Sequence, residues 1–207
     1  MAHALTTRPG TGVRNLTAAV LLAWFLLALG GSLLGVFDSG QRPPLLLGLA
    51  FVVPVGAFVA CYLTSPRFRE FVLSLDLRAL SLAQTFRVVG IVFVILYLLG
   101  ALPGAFALPA GWGDFAIGIT APVVAWYWKR PFPYRTFIMW NVLGSLDLVN
   151  AMSLGVLASA SPVGILAVDV TTRLMGQFPL SLIPTFFVPL LLIFHLICLA
   201  RVGKGVA

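Results

Sequence analysis

The sequence has few charged residues. Asp, Glu, Lys and Arg make up 9% of its 207 residues, whereas 60% are hydrophobic. A soluble domain carries about 25% charged residues, because its surface faces water. Thirteen basic and six acidic residues are too few to cover such a surface. Together with a mean hydropathy of +1.07, this excludes a soluble globular domain and indicates a membrane protein.

Residues that carry metal, redox or covalent chemistry are also scarce. The two cysteines, Cys61 and Cys198, form no CxxC pair, so we expect neither thiol redox chemistry nor a disulfide. His195 is the one histidine inside an apolar run, which argues against bis-histidine haem and a zinc-dependent hydrolase. GxSxG, HExxH and P-loop motifs are missing. We therefore expect no cofactor and no metal, and without a basic soluble domain we expect no nucleic-acid partner.

What the sequence does contain is long apolar runs. A helix needs about 20 apolar residues to cross the hydrocarbon core of a bilayer. The runs are continuously apolar rather than alternating, which favours helices over a barrel. We predict an all-α transmembrane bundle in one domain, residues 14–201, between tails at 1–13 and 202–207. Its six predicted spans are 16–37, 44–63, 83–100, 112–128, 136–159 and 182–200.

The basic residues are distributed unevenly between the two ends of these spans. Ten of the thirteen Lys and Arg residues fall before the first span, after the sixth span, or in the loops after the second and fourth spans. The opposite loops hold Arg42 and Arg173, and Arg87 lies inside the third span. Because Lys and Arg concentrate on the cytoplasmic side, we predict that both termini are cytoplasmic. The expected partners are membrane lipids, with a homo-oligomer or a membrane partner subunit as alternatives.

A short amphipathic segment precedes the third span. Ser65 and Pro66 form a typical helix start, and the apolar side chains that follow share one helical face. We predict an interfacial helix within 65–82, with a cytoplasmic loop helix free of lipid as the alternative. The apolar face is made of Phe68, Phe71, Val72 and Leu75.

Polar residues inside the spans are the most informative ones, because each is costly when it faces lipid. Residues spaced by three recur on the third and fifth spans, so we predict one internal polar cluster in which Arg87 pairs with Asp147 and His195 lies close by. The cluster either forms a substrate or ion site or only holds the helices in register. Its predicted members are Gln84, Arg87, Asn141, Asp147, Asn150 and His195.

A second set of features lies at the opposite end from the basic loops. Residues 101–111, ALPGAFALPAG, contain two prolines and predict a re-entrant or membrane-hugging loop. Asp114 would then cap the fourth span or pair with Arg173 to close the outer mouth. Three prolines between 179 and 189 predict a kinked or broken start to the sixth span.

Four stretches resemble a bacterial family of small hypothetical membrane proteins. They read QTFRVVG, LPGAFALPAGWGDFAIGITAP, WNVLGSLDLVNA and FPLSLIPTFFVPLLLIFHL, and the resemblance covers roughly residues 71–199. It implies a multi-pass protein of the bacterial inner membrane and no particular activity.

Three functions stay open at this point. The polar cluster favours translocation of a small solute or ion, with Arg87 attracting an anion and Asp147 or His195 titrating. The alternative is a structural or accessory membrane subunit whose cluster only fixes helix packing. A membrane-embedded enzyme or lipid binder is third, because the sequence shows no nucleophile or metal set.

Overall fold

The computed structural model describes residues 11–127 and 134–202, and the regular structure in these two stretches is helical. The α-helices are α1 Thr11–Leu33, α2 Leu45–Thr64, α3 Pro66–Ser74, α4 Leu77–Ala83, α5 Ile91–Leu98, α6 Gly104–Tyr127, α7 Tyr134–Leu157 and α8 Val188–Val202. Two 3₁₀ helices, Gln84–Gly90 and Thr172–Gly176, and a π-helix, Ile183–Phe187, complete the order.

Six helices in the described part of the chain are long and apolar enough to cross a membrane, which confirms the predicted number. The third span is composite, since α4, the 3₁₀ helix Gln84–Gly90 and α5 run on as Leu77–Leu98. The sixth combines the π-helix with α8. The type and number of the spans were therefore more predictable from the sequence than their ends.

The predicted loop at 101–111 is wrong. Helix α6 begins at Gly104, and the N–H groups of Phe106 and Ala107 bond to the carbonyl of Pro103. Pro109 is the sixth residue of the helix. It removes one interior hydrogen bond, to the Ala105 carbonyl, and the buried residues on either side of it, Ala107 and Ala110, keep this part of the helix packed in the bundle. The fourth span is consequently eight residues longer at its start than the run 112–128 predicted.

Helix α3 begins where the sequence predicted a helix start. The Ser65 hydroxyl accepts a hydrogen bond from the backbone N–H of Phe68 at 3.3 Å, and Pro66 occupies the first helical position. Phe71 and Val72 are buried against the bundle. The apolar face of α3 is thus used mainly for packing on the other helices, and its interfacial location remains a prediction.

Helix α6 is central in the bundle and packs against the third span and α7, while α8 packs against α7 and α2. Close approach between α6 and the third span depends on small residues. A Cβ at Gly111 would meet the Gly90 carbonyl at 3.0 Å, and one at Gly118 would press into the backbone of Val88. By contrast, α1 and α2 are peripheral and expose large apolar side chains, as suits helices that face lipid.

The sixth span has the irregular start that its prolines predict. Pro189 lacks the N–H that would bond to the Thr185 carbonyl in an α-helix. The Trp24 indole N–H on α1 donates to that carbonyl at 3.1 Å instead. The π-helix around Thr185 is therefore held by a side chain from another span, which ties the peripheral α1 to the bundle.

Candidate functional site

Arg87 is the centre of the polar cluster. It lies on the 3₁₀ helix of the third span, and only 3% of the residue is exposed. Its guanidinium points between α6, α7 and α8 and has hydrogen-bonding partners on all three. A buried guanidinium is stable only when acceptors in the protein match its charge and its N–H groups. Four hydrogen-bonding interactions with these three helices provide that match.

Two carboxylates share this guanidinium. Arg87 Nε donates to Asp114 Oδ1 on α6 at 2.7 Å, and Nη2 donates to Asp147 Oδ2 on α7. The side chains of Asp114 and Asp147 are 9% and 16% exposed, so both ion pairs are shielded from solvent. With both carboxylates ionised, the group carries one positive and two negative charges, a formal net charge of −1.

His195 and Asn141 extend the cluster on the other side of the guanidinium. Arg87 Nη1 lies 3.1 Å from His195 Nε2, and His195 Nδ1 lies 2.9 Å from Asn141 Oδ1. The Asn141 amide N–H₂ donates to the Phe137 carbonyl at 2.9 Å. Since a guanidinium only donates, His195 Nε2 must accept and Nδ1 must carry the proton, which makes the ring neutral.

Arg87 has little capacity left for a further ligand. Besides its two carboxylates and His195, it donates from Nη1 to the Gly144 carbonyl at 3.1 Å. Four of its five N–H groups are thus directed at protein acceptors. The expectation that Arg87 would attract a free anion is therefore not supported, because the two carboxylates already neutralise it.

Three glycines make room for this group. A Cβ at Gly90 would overlap the Asp114 side chain, one at Gly113 would overlap the Asp147 carboxylate, and one at Gly144 would overlap the His195 ring. Each glycine lies on a different helix from the residue whose side chain it accommodates, where the two helices are in contact. The small residues let four helices approach closely enough for one guanidinium to reach acceptors on three of them.

Two predicted members of the cluster lie elsewhere. Gln84 is buried, but its amide N–H₂ donates to the Leu191 carbonyl at 3.0 Å rather than to the charged group. Its Oε1 is buried without a hydrogen-bond partner among the described residues. Asn150 is exposed on α7, so its assignment to the cluster is wrong. A spacing of three falls about 60° short of a full turn, so after three such steps from Asn141, Asn150 lies on the opposite face.

The expectations for Asp114 and Arg173 also need correction. Asp114 lies in the middle of α6, where it binds Arg87, and it is not a helix cap because α6 begins at Gly104. Arg173 pairs with Asp38 instead, with Nε–Oδ1 and Nη2–Oδ2 distances of 3.0 and 3.1 Å. Asp38 is not predictable as the partner of Arg173, because its position in a loop carries no pattern that points to a distant contact.

The Asp38–Arg173 ion pair lies at one end of the bundle, which we call the Arg173 end. It comprises the loops that follow α1, α5 and α7. Gln177 also donates to Asp38, at 3.1 Å. Hydrogen bonds from Arg173 and from the Gly40 backbone N–H lower the pKa of Asp38 to about 2, so the carboxylate is ionised at neutral pH and holds two of these loops together.

A cavity connects the Arg173 end with the charged cluster. It leaves about 60 Å³ open to the centres of water-sized spheres, and about 710 Å³ when all space between the atoms and the open solvent at the mouth are counted. Arg173, Ser39 and Ser159 lie around its mouth, its walls are mostly apolar, and Asp114 is the one acidic residue among those that line it. The cavity therefore leads from the loops of this end to a carboxylate bound to Arg87.

Comparison with known proteins identifies the family. Residues 44–202 match the family described as Domain of unknown function (DUF8737). The chain belongs to this family. The matched region contains the five spans from α2 to α8 and every residue around Arg87, whereas α1 precedes it. No curated protein and no solved structure matches the chain significantly.

The glycine that accommodates Asp147 provides a first prediction. Gly113→Ala should lower the free energy of unfolding by about 1–3 kcal/mol, because the new methyl group displaces the Asp147 carboxylate from a packed interior. Gly56→Ala is the matched control, since a Cβ there meets open space and should stabilise α2 by up to about 1 kcal/mol. Thermal unfolding in detergent measures both, and equal shifts for the two variants would contradict the packing described for Gly113.

Proposed function

We propose that the protein translocates a small solute or ion through the polar cluster around Arg87, and that Asp114 and Asp147 carry the exchangeable charge. The observation that carries this proposal is the ratio of charges, one buried guanidinium to two carboxylates, of which Asp114 is buried and Asp147 is partly buried. To balance the charge alone, one carboxylate would be enough for one guanidinium.

The surplus negative charge gives the cluster two states. With both carboxylates ionised it holds a formal charge of −1, which is costly inside an apolar bundle. A proton or another cation on either carboxylate removes that charge. Binding of a cation to this site is therefore favoured. Release of the cation restores the formal charge of −1, which the surrounding helices must accommodate.

The position of the cluster links these states to the packing of the spans. Arg87, Asp114 and Asp147 lie on three different spans, and His195 on a fourth. A change of charge on either carboxylate alters its bond to Arg87 and hence the contact between two helices. Such a two-state element is what coupling between ion binding and helix movement requires.

The carboxylates are better suited to exchange protons than His195. The Nε2 lone pair of His195 accepts from Arg87, and the ring is completely buried. Asp147 keeps some exposure and Asp114 lines the cavity. In this proposal His195 and Asn141 orient the guanidinium, while the carboxylates titrate.

A structural or accessory subunit is the second candidate. It is favoured by the nearly complete hydrogen bonding of Arg87, which suits a group that fixes helices in one arrangement. In that case the charge on the carboxylates would matter for stability and for no flux, so the two functions differ in a measurable way.

We further propose that the protein resides in a bacterial inner membrane with both termini in the cytoplasm and the Arg173 end outside. The support is the distribution of Lys and Arg, ten at one end against two at the other. A reporter fused after Ala207 should be active as a cytoplasmic fusion and inactive as a periplasmic one. The reverse pattern would contradict the orientation.

The proposed translocation predicts a loss of proton-linked flux when either carboxylate is neutralised. Purified protein is reconstituted in vesicles that contain a pH-sensitive dye, and small cations, anions and neutral solutes are added under an imposed membrane potential. The wild type should change the internal pH with at least one solute. Asp114→Asn and Asp147→Asn should lose at least about 90% of that rate, because the exchangeable charge is gone.

Asp169→Asn is the matched control, since Asp169 is an exposed acid in the loop between α7 and the 3₁₀ helix Thr172–Gly176. It should retain the wild-type rate. Both cluster variants must also elute as folded protein from a sizing column. Folded variants with unchanged flux, or no flux in the wild type with any solute, would favour the accessory-subunit function.

A further inference from the structure

The cavity at the Arg173 end has a shape and a chemistry that the charged cluster alone does not explain. It runs inward from the loops of that end, between α5, α6, α7 and the start of the sixth span. Phe93, Phe106, Ala151, Met152, Met175 and Val188 form part of its apolar wall. Proton access alone would not need apolar walls, because water and protons move along polar groups.

The inner part of the cavity offers one charged acceptor. Asp114 uses Oδ1 for Arg87, and its Oδ2 accepts no hydrogen bond from any residue in the described part of the chain. With both carboxylates ionised, the group to which Asp114 belongs has a formal charge of −1. A ligand that enters along the apolar wall therefore meets an acceptor with unused capacity and surplus negative charge.

Aromatic rings in the wall are compatible with a cation that passes them and with an apolar ligand body that rests on them. Phe93 and Phe106 both line the cavity, with ring centroids 5.4 Å apart. The face of an aromatic ring attracts cations, and ammonium groups without N–H bonds are recognised in this way. The same rings provide apolar surface for the body of a ligand.

The other charged residue on the cavity does not offset the surplus negative charge. Arg173 lies at the mouth, and its guanidinium is engaged by both oxygens of Asp38. A ligand that passes the mouth thus meets a neutral pair before it meets Asp114. An anion would gain no partner here and would face a carboxylate.

We propose that this cavity is the binding site for a small organic monocation with an apolar body, such as an aryl or alkyl ammonium. Its positive group lies at Asp114, and its apolar body lies along Phe93, Phe106 and Met175. The inference rests on the proposed function in that the bound cation is the solute that moves, but binding itself is tested without any flux.

The test uses two ligands that differ only in charge. Phenyltrimethylammonium and tert-butylbenzene have the same shape, because the ammonium nitrogen of the first is a carbon in the second. Isothermal titration calorimetry with the purified wild-type chain in detergent, corrected for micelles alone, measures both. The cation should bind at least about tenfold more tightly, since only it can pair with the surplus charge.

Two variants locate the site. Asp114→Asn should weaken binding of the cation by about tenfold or more and leave tert-butylbenzene unaffected. Gly155→Val should weaken both ligands, because its new methyl groups grow toward Phe106, whose ring a Cβ would meet at 3.7 Å. Gly56→Val makes the same exchange where a Cβ meets open space on the exposed face of α2 and should bind like the wild type.

Equal affinity for the two ligands, or an Asp114→Asn or Gly155→Val variant that binds the cation as the wild type does, would overturn the proposal. Gly155→Val keeps the test decisive where Asp114→Asn does not fold. Tight binding of the cation without any vesicle flux would support the site and count against translocation. Flux of other solutes without binding of phenyltrimethylammonium would support translocation and overturn this site.

Discussion

The charge of Arg87 is the constraint on which the rest of the bundle depends. An unpaired charge in such an interior costs several kcal/mol, so the chain must bring acceptors to the guanidinium from several helices. Asp114, Asp147, the Gly144 carbonyl and His195 meet that need. Three other spans must therefore approach the span that carries Arg87. This requirement accounts for the glycines beside these residues, for the short 3₁₀ turn that carries Arg87 and for the central position of α6.

Much of the architecture could be predicted from hydropathy, because a span needs only length and apolar composition. The expense of buried charge also singled out Arg87, Asp147, Asn141 and His195 as close neighbours, and the structure brings these four together. The ends of the spans were less predictable, since helix ends depend on local hydrogen bonds that composition does not reveal.

The start of α6 determines where Asp114 lies in the site. Because the proline-rich stretch 101–111 suggested a loop, Asp114 was expected at the edge of the membrane. The observed start of α6 at Gly104 moves Asp114 to the middle of its helix and into the cluster. Both proposals rest on Asp114 as a second carboxylate at Arg87. This role was not predicted, because the start of α6 was predicted eight residues too late. The Asp38–Arg173 pair and the cavity were beyond prediction for another reason, since they depend on contacts between loops 135 residues apart.

The most direct test of this account is a double-mutant cycle on the cluster, measured as the free energy of unfolding in detergent. Arg87→Met should cost about 3–5 kcal/mol in the wild type, because it leaves two carboxylates buried without their partner. In the Asp114→Asn/Asp147→Asn background the same substitution should cost at least about 1 kcal/mol less, since no uncompensated charge remains. Equal costs in the two backgrounds would show that Arg87 and the two carboxylates do not interact, and would contradict the central claim.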